Sequence, residues 1–242
     1  MLNNKKLQTY KLDDLYDKKL LSANEIHLWV IDVNNQRLNN NHSYLNKILD
    51  VKEKEKLTRY LLDGHKKRFL YSRSMLKLLI SNYLHVEPHR ISIKYNERGK
   101  PELEEKNNLI NLNFNISHSH ELIIFVFTLE NSIGVDIEYI DKSRDIMGIA
   151  KKFFSKDEYS CISKYKDDLQ FRIFYILWTF KEALLKCRGT GISSDFKAIS
   201  IPLIENYHFM NNKNGSCSYF NKIWNYNILE LCNEYITNIV YG

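Results

Sequence analysis

The chain has 242 residues, of which 44% are hydrophobic, 13% aromatic and 26% charged. This balance is typical of a folded globular protein and excludes a mainly disordered chain. The length suits one large domain or two small ones. The formal net charge of +6 predicts an anionic partner, which could be a nucleic acid, a phosphorylated small molecule or an acidic protein, unless the charge only keeps the surface soluble.

Targeting signals are absent from the sequence as given. No apolar run approaches the ~18 residues of a membrane span, and the first fifteen residues lack the apolar core of a signal peptide. The four cysteines are scattered, with no CxxC pair and no histidine at zinc-ligand spacing. These features predict a protein of the reducing cytoplasm.

The first half of the chain predicts a strand at Glu25–Val33, a helical stretch from about Val51 to Leu84 and a strand at Ile91–Tyr95. Apolar residues in the helical stretch recur at helical spacing, with Arg68 and other cations between them. The Gly99-Lys100-Pro101 segment predicts a turn.

The second half predicts two strands, Leu122–Leu129 and Ile133–Tyr139, joined as a hairpin by the three residues between them. Ser155 and Glu158 have the spacing of a capping box, which opens a helix. A long helix follows and ends at Gly189, because glycine supplies the positive φ of a helix stop. Four strand-like segments close the chain: Phe196–Ile201, Cys217–Trp224, Tyr226–Cys232 and Tyr235–Tyr241.

The order of these elements repeats. Each half has a short charged helix, a long helix and a strand soon afterwards. The pattern predicts an α+β fold, built as a pseudo-twofold duplication of two similar α/β subdomains, residues 1–128 and 129–242. A duplicated pair would place its ligand cleft at the interface of the two subdomains, where such sites are common.

A pair of carboxylates lies in the segment Gly134–Glu138, whose sequence is GVDIE. Residues two apart on a strand face the same way, so Asp136 and Glu138 share one face. Acidic residues are poor strand formers. A hard cation such as Mg²⁺, which takes oxygen ligands and shares them with substrate phosphates, would explain the pair. The alternative is a solvated face of an edge strand.

A second candidate set lies in Trp178–Lys186, whose sequence is WTFKEALLK. Glu182 and Lys186 are four residues apart and share one helix face. In a functional interpretation the carboxylate completes a metal site or acts as a general base, and the lysine holds a phosphate. In the alternative the two residues form an ordinary exposed ion pair.

The third candidate set is FNISHS at Phe114–Ser119, which enters a strand. His118 stands between Ser117 and Ser119, and the three side chains together offer several hydrogen-bond donors for a phosphate or pyrophosphate. The alternative is a bystander histidine. The adjacency of serine and histidine is no evidence for a hydrolase triad, whose members must meet in space.

Taken in order, these motifs resemble the 4′-phosphopantetheinyl transferase superfamily, specifically its surfactin-synthetase-activating type. They follow one another in the family's order and at approximately its spacing, and RFLYSRSML at Arg68–Leu76 extends the likeness into the N-terminal half. The matching segments are Gly99–Pro101, Phe114–Ser119, Gly134–Glu138, Phe153–Ser160, Trp178–Lys186 and Gly189–Ser193.

The resemblance implies an enzyme that moves the phosphopantetheine arm of coenzyme A onto a serine of an apo acyl or peptidyl carrier protein and releases 3′,5′-ADP. It implies a monomer that serves nonribosomal peptide or polyketide biosynthesis. It also implies that Asp136, Glu138 and Glu182 bind Mg²⁺ and that Glu182 is the catalytic base. The residues implied to contact coenzyme A are Lys56, Arg68, Lys100, Ser117, His118 and Lys186.

Two positions differ from the usual pattern of the family. His120 stands where relatives often have glycine, and Tyr139 where a basic residue is frequent. Three other interpretations of the chain stay open at this point: a transferase devoted to the fatty-acid carrier protein, a basic nucleic-acid-binding protein, and a catalytically inactive relative that acts as an interaction partner.

Overall fold

The computed structural model describes residues 5–17, 19–104, 106, 108–190, 196–199 and 213–242. These residues fall into two compact units. The N-terminal unit comprises Lys5–Phe114 and His120–Glu130, and the C-terminal unit comprises Asn115–Ser119 and Asn131–Gly242. The α+β class is confirmed. The predicted division into residues 1–128 and 129–242, and a ligand cleft between the halves, stay predictions.

A mixed four-stranded sheet organises the N-terminal unit. Its order is β1-β2-β6-β5, with β1 parallel to β2 and β2 antiparallel to β6. A short antiparallel pair, β3 with β4, forms a separate sheet. The strands are β1 Lys6–Lys11, β2 Glu25–Asp32, β3 Ile93–Tyr95, β4 Pro101–Leu103, β5 Leu112–Ser119 and β6 Leu122–Leu129. Of β5, only the first three residues belong to this unit, and Asn115–Ser119 belong to the C-terminal unit.

Four helices complete this unit: α1 Gln36–Asn40, α2 His42–Ile48, α3 Val51–Thr58 and α4 Asp63–Leu84. The predicted helical stretch is confirmed, and its short charged helix and long helix are α3 and α4. The chain is extended at Leu62, with φ −91° and ψ 130°, and a new helix begins there with Asp63 in its first turn. An acidic residue is favourable at a helix N-terminus, because it faces the positive end of the helix dipole.

The C-terminal unit is a four-stranded antiparallel sheet, of order β7-β10-β9-β8, covered by helices. The long helix α7 packs on β7 and β10. The strands are β7 Ile133–Tyr139, β8 Asn214–Tyr219, β9 Lys222–Leu231 and β10 Tyr235–Tyr241, and the helices are α5 Ile146–Phe153, α6 Lys156–Ser163 and α7 Asp167–Arg188. Among the described residues, no helix is both long and apolar enough to cross a membrane.

The predicted hairpin of Leu122–Leu129 with Ile133–Tyr139 is wrong. Both segments are strands, but β6 pairs with β2 and β7 pairs with β10. Ser132 and Gly242 exchange two backbone hydrogen bonds of 3.2 Å, which extend the β7–β10 pairing. A three-residue link is compatible with a hairpin but does not impose one, because each strand pairs where its buried faces find a partner.

The predicted strand Cys217–Trp224 is also wrong in its bounds. It is interrupted at Phe220 and Asn221, whose φ angles of 51° and 55° form the turn between β8 and β9. The predicted strand at Tyr235–Tyr241 is confirmed. Of the predicted strand Phe196–Ile201, residues 196–199 are not in a strand, and residues 200 and 201 lie outside the described residues, as do residues 191–193 of the Gly189–Ser193 motif.

Two helix ends follow the sequence closely. Ser155 and Glu158 form the predicted capping box at the start of α6. Gly189 ends α7 with φ 71°, a left-handed conformation that glycine adopts at little cost. His120 also has a positive φ, 47°. That conformation explains why glycine suits this position in relatives and identifies a local cost of the histidine.

The helix pair α3–α4 matches the helix pair α6–α7 in length and in a buried contact. Each short helix has 8 residues and a capping box, and each long helix has 22 residues. Lys77 of α4 donates to Glu53 of the first capping box at 2.6 Å, and Lys181 of α7 donates to Glu158 of the second at 2.5 Å. These matched pairs support the predicted duplication, which itself stays a prediction.

Candidate functional site

Strand β7 carries Asp136 and Glu138 on one face. β7 is an edge strand of its sheet, as the alternative of a solvated edge-strand face expected. Asp136 is nevertheless only 4% exposed. Because this carboxylate is buried, the face of β7 that carries it is not solvated. The carboxylate is buried because α7 lies over β7.

The close packing of α7 on β7 depends on Gly134. A Cβ at this position would lie 2.1 Å from the carbonyl oxygen of Ala183 and 2.3 Å from the backbone nitrogen of Cys187. Real Cβ atoms do not approach other atoms so closely, so only glycine permits this spacing. The glycine therefore allows Glu182 and Lys186, on the same stretch of helix, to lie close to the β7 carboxylates.

Lys186 bonds to β7 and not to its helical neighbour. Its Nζ lies 2.7 Å from Oδ1 of Asp136 and 2.9 Å from Oγ of Ser117. Glu182 is only 9% exposed and makes no ion pair within 4.0 Å among the described residues. The interpretation of Glu182 and Lys186 as an ordinary exposed ion pair is therefore wrong.

Strand β5 supports both carboxylates of β7 through alternate side chains. Ser117 Oγ donates to Asp136 Oδ1 at 2.8 Å, and Ser119 Oγ donates to Glu138 Oε2 at 3.1 Å. Asn115 Oδ1 accepts from the backbone N–H of Val135 at 3.0 Å. Residues 115, 117 and 119 share one strand face, so three successive positions hold β7 in register beside β5.

The predicted phosphate site at the SHS motif is not assembled within the C-terminal unit. Ser117 and Ser119 are buried and use their hydroxyls on the carboxylates, whereas His118 is exposed and, by strand alternation, faces the other way. The three donors therefore do not converge. The roles of Ser117 and His118 in binding coenzyme A stay predictions.

Burial gives the site an unusual protonation equilibrium. The pKa of Glu182 is raised to about 7, first by burial and then by the negative charge of Asp136, while the Lys186 ammonium opposes the shift. Burial and the charge of Asp136 also raise the pKa of Glu138, against the hydrogen bond from Ser119. A carboxyl group that titrates near neutral pH can exchange a proton with a substrate.

The same carboxylates offer oxygen ligands to a metal ion. In the parts of the chain that the structure describes, no group of three or more histidine, cysteine, aspartate or glutamate side chains lies close enough together to hold a metal ion. Oδ2 of Asp136 is nevertheless buried and has no hydrogen-bond partner among those residues. The charge of Asp136 raises the pKa of both Glu138 and Glu182, and its unpartnered oxygen is the kind of ligand that a hard divalent cation takes.

Three residues implied to contact coenzyme A belong to the N-terminal unit. Lys56 is exposed at the end of α3, with Nζ 5.5 Å from the centre of the Phe69 ring. Arg68 is partly buried on α4, and its Nε has no hydrogen-bond partner among the described residues. Lys100 stands between a turn at residues 97 and 98 and the first residue of β4, so the turn lies two residues before its predicted place. The backbone N–H of Lys100 donates to Asn96 Oδ1 at 2.9 Å. Their roles stay predictions.

Sequence reasoning missed part of the site. Asn115 was not given a role, and Ser119 was expected to donate to a phosphate and not to Glu138, although their spacing of two from Ser117 places all three on one strand face. Arg144, exposed just before α5, was missed as well. Its charge opposes the rise of the Glu138 pKa. No local signal marks Arg144, because its position follows from the path of the loop after β7.

Two family models match the chain. Residues 36–129 match the N-terminal model of 4′-phosphopantetheinyl transferases, and residues 132–239 match the model of the 4′-phosphopantetheinyl transferase superfamily. A 4′-phosphopantetheinyl transferase of Nostoc sp., HetI, is 34% identical over 173 residues, which are 72% of each chain. The chain belongs to the 4′-phosphopantetheinyl transferase superfamily.

Further relatives of this transferase come from other groups of organisms. Sfp of Bacillus subtilis, also named a 4′-phosphopantetheinyl transferase, is 34% identical over 156 residues, which are 64% of this chain and 66% of Sfp. The human L-aminoadipate-semialdehyde dehydrogenase-phosphopantetheinyl transferase is 26% identical over 163 residues, which are 64% of this chain and 53% of the human protein. The resemblance to the surfactin-synthetase-activating type is confirmed.

Proposed function

We propose that this transferase moves the 4′-phosphopantetheine arm of coenzyme A onto a serine of an apo acyl or peptidyl carrier protein and releases 3′,5′-ADP. The observation that carries the proposal is the buried set of carboxyl groups on β7 and α7, in which the pKa of Glu182 is raised to about 7. Membership of the family supports the reaction class.

Glu182 is the proposed base. The serine oxygen attacks the β-phosphorus of coenzyme A, the bond from that phosphorus to the oxygen of 3′,5′-ADP breaks, and the serine proton passes to the Glu182 carboxylate. A base works best when its pKa lies near the working pH. In the metal-free site, burial under α7 raises the pKa of Glu182 from an ordinary 4.5 to about 7, and a bound cation would oppose this rise.

Lys186 and Ser117 hold Asp136 in place. With one oxygen of Asp136 bound by both groups, the other oxygen stays buried and unpartnered. The Lys186 ammonium also opposes the rise of the Glu182 pKa, so it keeps Glu182 ionised in a useful fraction of molecules near neutral pH. We assign phosphate contacts to Lys186, His118, Ser117 and Lys100, and contacts to the 3′-phosphate end to Arg68 and Lys56.

Mg²⁺ is the proposed cation, because the carboxyl groups offer oxygen ligands and Oδ2 of Asp136 is unpartnered among the described residues. Asp136 through Oδ2, Glu138 and Glu182 would hold it. When bound, it would offset the negative charge of the pyrophosphate and of the leaving 3′,5′-ADP. The bound cation would also lower the carboxyl pKa values, because a nearby positive charge favours the ionised form.

The cellular setting is proposed from the state of the cysteines. The described cysteines Cys161, Cys187, Cys217 and Cys232 are free thiols, which suits the reducing cytoplasm. We propose a role in nonribosomal peptide or polyketide biosynthesis.

We also propose that the enzyme is a monomer, because a duplicated chain supplies for itself the interface that a single unit takes from a partner. Light scattering tests this, and a mass of two chains over a wide concentration range would contradict it.

One experiment tests the reaction and finds the substrate. The protein is incubated with coenzyme A, Mg²⁺ and a panel of apo acyl and peptidyl carrier domains, and the intact mass of each domain is read. We expect one serine of at least one domain to gain a phosphopantetheine arm, and none to gain it when coenzyme A or Mg²⁺ is left out. Unchanged masses across the panel would overturn the proposed function.

A further inference from the structure

The tip of the β8–β9 hairpin exposes unusual apolar surface. In the described part of the C-terminal unit, two large apolar side chains are more than half exposed: Phe220 at 65% and Ile223 at 61%. Neighbouring exposed apolar residues also occur in the N-terminal unit, at Leu61 and Leu62 and at Leu109 and Ile110. The hairpin tip differs from them by the backbone conformation of Phe220 and by the positive charge beside its ring.

The backbone at this tip does not favour the residue it carries. Phe220 has φ 51°, a left-handed conformation that is rare for bulky side chains and that asparagine or glycine adopts more easily. The ring lies 4.7 Å from that of Tyr219, edge to face. Turn chemistry therefore does not explain a phenylalanine here, and strained positions of this kind occur at functional surfaces.

Positive charge lies beside the exposed ring. The Arg188 guanidinium, at the end of α7, is 4.5 Å from the centre of the Phe220 ring, and Lys222 Nζ is 4.4 Å from that of Trp224. Neither cation pairs with a carboxylate of the described residues within 4.0 Å, and Nη1 of Arg188 is buried without a hydrogen-bond partner among them. The complementary partner surface is therefore apolar and bordered by carboxylates.

We propose that Arg188, Phe220, Lys222 and Ile223, here named the hairpin-tip surface, dock the carrier protein. This inference rests on the proposed function. Arg188 lies about 9 Å along the axis of α7 from Glu182, at a rise of about 1.5 Å per residue. A domain of about 100 residues has a radius of gyration of about 13 Å, so a carrier that presents a serine to Glu182 is large enough to cover the end of α7.

The residue types agree with a protein partner. Aromatic residues and arginine are enriched at the centres of protein interfaces, and truncation of such residues weakens binding most. The positive charges would speed the encounter with an acidic partner, an effect that salt suppresses. The alternative occupant is a small flat ligand, such as an adenine ring stacked on Phe220. The coenzyme A affinity of a variant at this surface distinguishes that ligand from a docked protein.

The test is the double variant Phe220→Ser/Lys222→Glu in the full chain. The carrier domain is the one that the wild-type protein modifies in the mass assay, with coenzyme A saturating. We expect KM for the carrier to rise about tenfold or more, which corresponds to ~1.4 kcal/mol, with kcat near the wild-type value. Coenzyme A affinity, measured by calorimetry, should be unchanged. The matched control is Leu109→Ser/Lys164→Glu, because Leu109 is 88% exposed and Lys164 is exposed.

Each outcome is informative. A wild-type protein that modifies no carrier contradicts the proposed function, whereas an active wild type with an unchanged KM in the double variant overturns the docking surface alone. Loss of coenzyme A affinity in the double variant would mean that this surface binds the coenzyme, and would also overturn the proposal. If thermal unfolding shows that the double variant does not fold, Lys222→Glu/Ile223→Ser keeps Phe220 and must show the same rise of KM.

Discussion

The ammonium of Lys186 lies 2.7 Å from Oδ1 of Asp136, a residue of another element, and not against Glu182 one helical turn away. This contact neutralises part of the charge on β7 and leaves the Glu182 carboxyl without a direct cation partner within 4.0 Å among the described residues. The raised pKa of Glu182 follows from that arrangement, since burial and the negative charge of Asp136 outweigh the opposing charge of Lys186.

Replacing Glu182 by glutamine should abolish turnover while the protein stays folded. The amide has almost the shape of the carboxyl group, but it cannot accept the serine proton near neutral pH. Coenzyme A should still bind, because the proposed phosphate contacts are made by other residues. Turnover is read from the mass of the carrier domain and binding from calorimetry. Glu234→Gln, the same change at an exposed position, is the control and should be fully active.

A Glu182→Gln protein that modified a carrier at nearly the wild-type rate would disprove the proposed base. Such a result would leave the family assignment untouched, because that assignment rests on family models that match residues 36–129 and 132–239 and on the similarity to HetI, and not on one side chain.

The raised pKa of Glu182 should appear in the pH dependence of stability without metal. Between the ordinary pKa of 4.5 and about 7, the unfolded chain releases a proton that the folded protein keeps. Stability therefore falls as the pH rises through this window, and Glu182→Gln removes that loss. Relative to wild type, the variant should gain up to about 3 kcal/mol in unfolding free energy between pH 4.5 and pH 8.

Urea unfolding in the presence of a chelator measures this difference. Glu234→Gln should follow the wild-type curve at every pH, because its position is exposed. A constant offset between Glu182→Gln and wild type from pH 4.5 to pH 8 would show that the pKa of Glu182 is close to its ordinary value. Added Mg²⁺ should shrink the pH-dependent difference, because a cation favours the ionised carboxylate.

Gly134→Ala should separate α7 from β7. The added methyl would meet backbone atoms of Ala183 and Cys187 at 2.1 and 2.3 Å, and backbone cannot move aside as a side chain can. We expect a loss of about 1–3 kcal/mol in unfolding free energy and a larger loss of activity, since Glu182 and Lys186 would shift from β7. Gly64→Ala is the control, because nothing lies within 4 Å of that position in α4. Thermal unfolding and the mass assay measure both effects.

Both matched buried pairs should lose stability when the lysine is replaced, but they should differ in how far a second change restores it. Lys77→Met leaves the Glu53 carboxylate buried without its cation, and Lys181→Met does the same to Glu158. Each single change should cost about 3–5 kcal/mol. Adding Glu53→Gln should recover much of the first loss, since the amide oxygen can still cap its helix. Adding Glu158→Gln should recover less, because Lys181 also donates to the carbonyl of Phe196. Double-mutant cycles in urea measure the coupling, and additive losses would contradict it.

Much of the local structure could be predicted from the sequence. The capping box at Ser155, the end of α7 at Gly189 and the shared face of Asp136 and Glu138 depend on hydrogen bonds and steric limits within a few residues. Such features are set by residue type and spacing, and they agree with the structure. The sequence could not tell whether Asp136 was buried or solvated, because burial depends on the helix that covers β7.

What the sequence determined by itself is the type of most of the longer elements, among them β2, α4, β6, β7, α7 and β10, and the types of residue that carry the chemistry. The elements β1, α1, α2 and α5 have no such prediction. Only the tertiary structure decided that β7 pairs with β10 and not with β6, that Lys186 bonds to Asp136, and that Ser117 and His118 face opposite ways within one motif. The physical reason is that periodicity describes directions around one element. Which residues meet across elements depends on strand pairing and helix packing, and both are settled by the burial of whole faces.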